Sequence, residues 1–138
     1  MDVQLGNLRK LNLFAGCLHL VSFVAILVLS NDASLPVVAT YLTDAPGTGN
    51  FSDPVNLFDL NIGYMVAGFM ALSAFFHFFV SSPPIFLKYA EGLGRHINKY
   101  RWIEYSLSSS IMIIVILQLN GTADFIALLG IFGVNVCM

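Results

Sequence analysis

Charge is what this sequence has least of: Asp, Glu, Lys and Arg make up 10% of its 138 residues. An ordinary soluble domain carries about 25%. The hydrophobic share, 57%, is correspondingly high. A water-soluble fold of this length cannot hide so many apolar side chains, whereas a bilayer accepts them as an outer surface. Basic residues are too few to form the sizeable face that nucleic-acid binding needs. Cysteine is scarcer still. Cys17 and Cys137 both lie in apolar runs, where a thiol acts as a small hydrophobe, and they make no disulfide framework. No nucleophile elbow, glycine-rich phosphate loop, HExxH or CxxC pair is present. Nothing points to an enzyme.

The few charges are ordered along the chain. All six Lys and Arg residues fall in two patches, Arg9-Lys10 and the stretch from Lys88 through Arg95 and Lys99 to Arg101. Asp32, Asp44, Asp53 and Asp59 lie between the first two apolar runs, where there is no Lys or Arg. The positive-inside rule then predicts a cytoplasmic N-terminus, a cytoplasmic second connection and an acidic external first loop.

An all-α integral membrane protein follows, a single unit over 1–138 with helices expected at 8–30, 60–82, 98–119 and 123–138. The first apolar run approaches the ~20 residues a span needs. It contains Asn12 and His19 and has no clear small-x-small cleavage site, so it reads as a retained helix and not as a signal peptide. The external loop, 31–59, holds two extended candidates, Leu35–Leu42 and Val55–Phe58, around the turn-forming Asp44-Ala-Pro-Gly-Thr-Gly. That pattern predicts a β-hairpin. Asn50-Phe-Ser and Asn120-Gly-Thr match the glycosylation acceptor pattern, though both are short enough to arise by chance. The second span is rich in small residues (Gly63, Ala67, Gly68, Ala71, Ser73, Ala74), which permit close helix contact in lipid. It stops at Pro83-Pro84, ahead of a basic cytoplasmic linker over 83–97. The fourth run is apolar to the last residue, so the sequence is expected to be truncated or one part of a longer chain.

Three ionisable side chains fall within the spans: His19, His77 and Glu104. On a helix, Glu104, Ser108 and Met112 share one face, and Glu104 lies roughly 9 Å inside the start of its span. A carboxylate in hydrocarbon needs a proton or a cation and is a functional hypothesis by default. All three groups are expected to face one cavity, with Ser73 four residues before His77, Ser108 four after Glu104, and Asn135 in the fourth helix. The bland alternative is that lone histidines are interhelical hydrogen-bond partners and that serines bond back to helix carbonyls. A metal site from two His and one Glu is conceivable, but the residues come from separate helices with no ligand-spacing motif. From the residues alone, two further readings stay open: a helical membrane interaction module, and a proton- or ion-conducting bundle using His19, His77 and Glu104.

Several stretches resemble one family. Arg101-Trp-Ile-Glu-Tyr-Ser-Leu-Ser-Ser-Ser is similar to the third-helix motif of the heliorhodopsins, and Leu72-Ser-Ala-Phe-Phe-His-Phe-Phe-Val-Ser-Ser to their second helix. Ala127-Leu-Leu-Gly-Ile-Phe-Gly-Val-Asn resembles the fourth, Ala15-Gly-Cys-Leu-His-Leu the first, and Pro36…Thr-Tyr-Leu…Pro-Gly-Thr the external loop. The likeness covers nearly the whole chain in order.

The resemblance implies a seven-helix retinal protein with a cytoplasmic N-terminus, a homodimer whose external hairpin joins the contact, and a slow photocycle suited to signalling. Glu104 is then the counterion of the protonated retinal Schiff base, with Ser108, Met112 and Met138 near the chromophore. His19 and His77 line a polar cavity beside it, within a network that includes Ser73, Tyr105, Ser109, Ser110 and Asn135. The departure is the lysine. The family attaches retinal on its seventh helix, and Lys10, Lys88 and Lys99 are all expected at membrane edges. This chain is therefore read as the N-terminal four-helix portion, which carries the counterion without the lysine: either the remaining helices lie outside this sequence, or it is a truncated product without photochemistry.

Overall fold

The structure, a computed structural model, describes residues 2–137, with the side chains of residues 2–4 left out of the description. Helix α1 spans Asp2–Leu29, ahead of the expected boundary at residue 8. Strands β1 (Ser34–Ala39) and β2 (Val55–Asn61) follow, then α2 (Ile62–Ser81), α3 (Pro83–Gly94), α4 (Lys99–Leu119) and α5 (Phe125–Val136). Among the described residues, three helices are long and apolar enough to cross a membrane: Leu5–Leu29 of α1, all of α2 and all of α4. At 12 residues, α5 rises only about 18 Å.

Polar side chains set the helix starts. Asn61, Asn98 and Asp124 precede α2, α4 and α5, and each side-chain oxygen accepts a backbone N–H of the first turn, from Tyr64, Arg101 and Ala127 at 3.0, 3.1 and 2.9 Å. These bonds satisfy donors that have no partner inside a helix. The α4–α5 turn closes on Gly121, whose φ of 90° suits glycine. Its N–H donates to Gln118 and that of Thr122 to Leu117, both at 2.9 Å, the usual way of capping a helix C-terminus.

The region expected as a linker is mostly helix. Pro83 and Pro84 do end α2, and Ser82 between the helices is extended. Proline is equally suited to the first turn of a helix, where its missing N–H has no partner to lose, so the same two residues begin α3. Arg9 spans this break: its Nε donates to the Ser81 carbonyl at 2.9 Å, and its guanidinium lies 5.9 Å from the ring of buried Phe86.

Helices pack in the series α1 on α2, α2 on α4, α4 on α5. Ala67, Ser73 and Ala74 are buried on α2, as small residues at a helix contact should be. Gly68 is not part of that contact, because a Cβ there would meet nothing within 4 Å. The close approach is made from α1, where a Cβ on Gly16 would lie 3.0 Å from the Phe78 ring and 3.2 Å from the His77 Cβ. β1 and β2 pair antiparallel with a bulge at Val37/Val38. The hairpin rests on the ends of α4 and α5. Val38 N–H donates to Ala123 at 2.9 Å, and Val37 packs with Ile114 and Leu128 in the buried apolar cluster.

Candidate functional site

Glu104 sits one turn into α4, and only 4% of its surface is exposed. Its two oxygens have different partners. Ser73 of α2 donates to Oε1 at 2.8 Å, while Arg101, one turn earlier on α4, donates from Nη1 to Oε2 at 3.3 Å. The Arg101 guanidinium also lies over the Tyr105 ring, 4.1 Å from its centre, and Nη2 donates to the Tyr105 hydroxyl. The cation beside Glu104 therefore comes from its own helix. Sequence reasoning assigned Arg101 to the basic edge, although the i, i+3 spacing was visible.

His77 is held from α1. Its Nδ1 lies 3.0 Å from Asn12 Oδ1, while Asn12 Nδ2 donates to the Leu8 carbonyl at 3.1 Å. With the amide so oriented, Oδ1 can only accept, so Nδ1 carries the proton and Nε2 is the basic nitrogen of neutral His77. His19 stacks on His77 with ring centres 5.4 Å apart and planes 12° from parallel. Asn12, 8% exposed, is the site residue that sequence reasoning passed over. An amide in an apolar run is a signal of the same kind as Glu104.

The expected single cavity is two. A smaller one, about 190 Å³, is lined by Asn12, Phe76, His77, Val80, Tyr89, Asn98, Tyr100, Arg101 and Glu104. A larger groove, about 530 Å³, is lined by His19, Phe69, Ser73, Arg101, Glu104, Tyr105, Ser108, Ser109, Met112, Ile113, Ile116 and Asn135. Glu104 and Arg101 belong to both, whereas His77 reaches only the first and His19 only the second. Farther along, Asn135 of α5 donates to Ser109 at 2.7 Å and Ser110 at 3.0 Å. Those hydroxyls in turn donate to the carbonyls of Tyr105 and Ser106. Ser110 is fully buried outside the groove lining, and Tyr105 is 44% exposed. Met138 lies outside the described residues.

Three membrane-length helices around a buried carboxylate, a guanidinium and two imidazoles define a multi-span helical membrane protein with a polar interior site. The larger groove adds an apolar stretch (Phe69, Met112, Ile113, Ile116) to a polar end at Glu104 and Ser73. The family model for heliorhodopsin matches residues 8–138, and the chain belongs to the heliorhodopsin family. Membership makes it part of a retinal-binding, rhodopsin-like protein family of integral membrane proteins. No curated protein matches the chain.

Proposed function

We propose that the chain is the counterion-bearing part of a light-sensing retinal protein that signals and does not pump ions, with Glu104 balancing a protonated retinal imine. The observation that carries this reading is the burial of Glu104 at the polar end of an otherwise apolar groove. Such a groove suits a polyene with one cationic end: its apolar stretch takes the hydrocarbon, and the buried Glu104 carboxylate, whose guanidinium partner Arg101 is itself 39% exposed, is open to a second cation. Lys10, Lys88 and Lys99 are exposed residues outside the groove. The reading assigns the attachment lysine to a part of the protein other than residues 1–138. Retinal, when bound, supplies the cation and the light-driven isomerisation.

The chain's own residues have distinct tasks in this reading. Ser73 and Arg101 each hold one oxygen of the carboxylate and so fix its orientation. Asn12 fixes the His77 ring with Nε2 as its basic nitrogen, and a neutral imidazole is suited to accept a proton near physiological pH. Ser108 and Met112 flank the chromophore beyond Glu104, and Met138 belongs near it. Asn135 ties α4 to α5 through Ser109 and Ser110. In topology, α5 is the fourth span, the N-terminus is cytoplasmic and the hairpin external, in line with the charge distribution. The exposed apolar residues of the hairpin, Tyr41, Leu42, Phe51 and Phe58, are the contact surface of a homodimer.

The test uses the protein expressed from its complete gene. All-trans-retinal added to those membranes is expected to give a visible band that borohydride bleaches by trapping the imine. Glu104→Gln is expected to shift the band to longer wavelength and make the imine lose its proton more readily, since the anion that stabilises the cation is gone. No band would favour a helical interaction module. A band that Glu104→Gln leaves unmoved removes Glu104 from the counterion role.

A further inference from the structure

We propose that the groove between α3 and the start of α4 is a binding site for the headgroup of an anionic phospholipid. Lys88 of α3, Arg95 at its C-terminal cap and Lys99 at the first position of α4 line one recess of about 400 Å³. The chain has six basic residues, so half of them meet in this recess.

The recess exists because the chain doubles back after α3. His96 takes a positive φ of 58°, and Ile97 N–H returns to the Gly92 carbonyl at 2.9 Å. A Cβ on Gly92 would lie 2.8 Å from the Ile97 carbonyl oxygen, so glycine is what permits the return. Lys99 is thereby brought back alongside α3.

One acid shares the recess. Glu91 pairs with Arg95 at 3.7 Å, but both side chains are more than 70% exposed, and such a pair contributes little in water. Lys88 and Lys99 remain as cations beside it. The other end of the molecule carries Asp32, Asp44, Asp53, Asp59 and Asp124 with no basic residue nearby in sequence, so the attraction for an anion is confined to this end.

The apolar surroundings identify the anion as a lipid. Ile103 is part of the recess and 51% exposed, and it continues along membrane-length α4 into Trp102 and Leu107, 59% and 38% exposed. A headgroup phosphate among Lys88, Arg95 and Lys99 leaves its acyl chains against that surface. A soluble anion has no use for it. Tyr89 and Tyr100, whose rings meet edge to face at 6.2 Å, line both this recess and the cavity holding His77 and Glu104. A bound headgroup thus sits one aromatic layer from the buried cluster.

The experiment is native mass spectrometry of the chain in detergent micelles with equimolar phosphatidylglycerol and phosphatidylcholine. A basic residue at a membrane surface strengthens anionic-lipid binding about fivefold, so phosphatidylglycerol adducts are expected to exceed phosphatidylcholine adducts at least fivefold. The triple variant Lys88→Gln, Arg95→Gln, Lys99→Gln brings the ratio close to one. Lys99→Gln alone, which leaves α3 untouched, lowers it at least twofold, and this result decides the matter where the triple variant loses helical circular dichroism. Lys10→Gln, an exposed cation on α1, leaves the ratio unchanged. In the same micelles, brominated phosphatidylglycerol quenches the single tryptophan, Trp102, more than brominated phosphatidylcholine does. A ratio near one in the unaltered chain, an equal fall with Lys10→Gln, or displacement of the lipid by millimolar inorganic phosphate overturns the proposal.

Discussion

Removing the Ser73 hydroxyl tests whether Glu104 is held as an anion. Ser73 donates to Oε1 and Arg101 to Oε2, so Ser73→Ala deletes one bond and leaves the other partner in place. Interhelical hydrogen bonds between neutral groups in membrane proteins average only about 0.6 kcal/mol. Bonds to charged groups contribute about 1.5–3 kcal/mol, and the 2.8 Å length together with the 4% exposure of both residues puts this one in the stronger class. In a Glu104→Gln background the acceptor is a neutral amide of nearly the same shape, and Ser73→Ala should cost about 0.6 kcal/mol. A double-mutant cycle on these two positions should therefore give a coupling of about 1–2 kcal/mol. The assay is reversible unfolding in mixed micelles titrated with sodium dodecyl sulfate, followed by Trp102 fluorescence. A coupling under about 0.3 kcal/mol, inside the error of additivity, would mean that Ser73 sees no charge at Glu104. Glu104 would then not be a paired anion.

Two further perturbations probe the neighbours. Asn12→Leu removes the acceptor of His77 Nδ1, so nitrogen NMR should show the proton moving from Nδ1 toward Nε2, at a stability cost of about 1–3 kcal/mol for the ring nitrogen left without a partner; an unmoved tautomer refutes the assignment. Gly16→Leu places a side chain where even a Cβ is 3.0 Å from Phe78. It should cost about 1–3 kcal/mol in the same unfolding assay and loosen the His19–His77 stack, whereas Gly68→Leu, facing open space, should cost under about 0.5 kcal/mol.

Much of this arrangement is legible in the residues, and what is not has identifiable causes. Apolar run length marks the three long helices, and Asn98 and the Asn120-Gly121 turn mark where α4 starts and stops. Pro83-Pro84 is ambiguous by its chemistry: a residue that lacks an N–H ends one helix and begins the next equally well, and nothing local decides between a linker and α3. The small residues of α2 announce a close contact without saying which of them meets it. That depends on helix rotation, and so Gly16 replaces Gly68. Depth along the spans put His19, His77 and Glu104 near one another, but it could not separate two cavities, because Glu104 and Arg101 line both and only side-chain placement sends His77 to one and His19 to the other. Asn12 and Arg101 were hidden by context, one inside an apolar run and the other counted as a charge at the membrane edge.

Arg101 changes how the buried carboxylate is understood. At 3.3 Å and an effective dielectric near 20, the attraction between guanidinium and carboxylate is about 5 kcal/mol before solvation is discounted. Solvent-exposed pairs retain roughly 0–1 kcal/mol. This pair is lopsided: the Glu104 side chain is 6% exposed and that of Arg101 39%. Water can therefore replace Glu104 for Arg101, and Tyr105 already offers the guanidinium a hydroxyl and a ring face. No such replacement exists for Glu104. Under the proposed retinal role, two cations compete for one anion, and the partner with access to water is the one that yields. In that role Arg101 pairs with the carboxylate while the imine is absent and keeps its contacts with the Tyr105 hydroxyl and ring when the imine takes its place. The buried charge thus has a partner in both states, Arg101 from its own helix in one and the imine in the other.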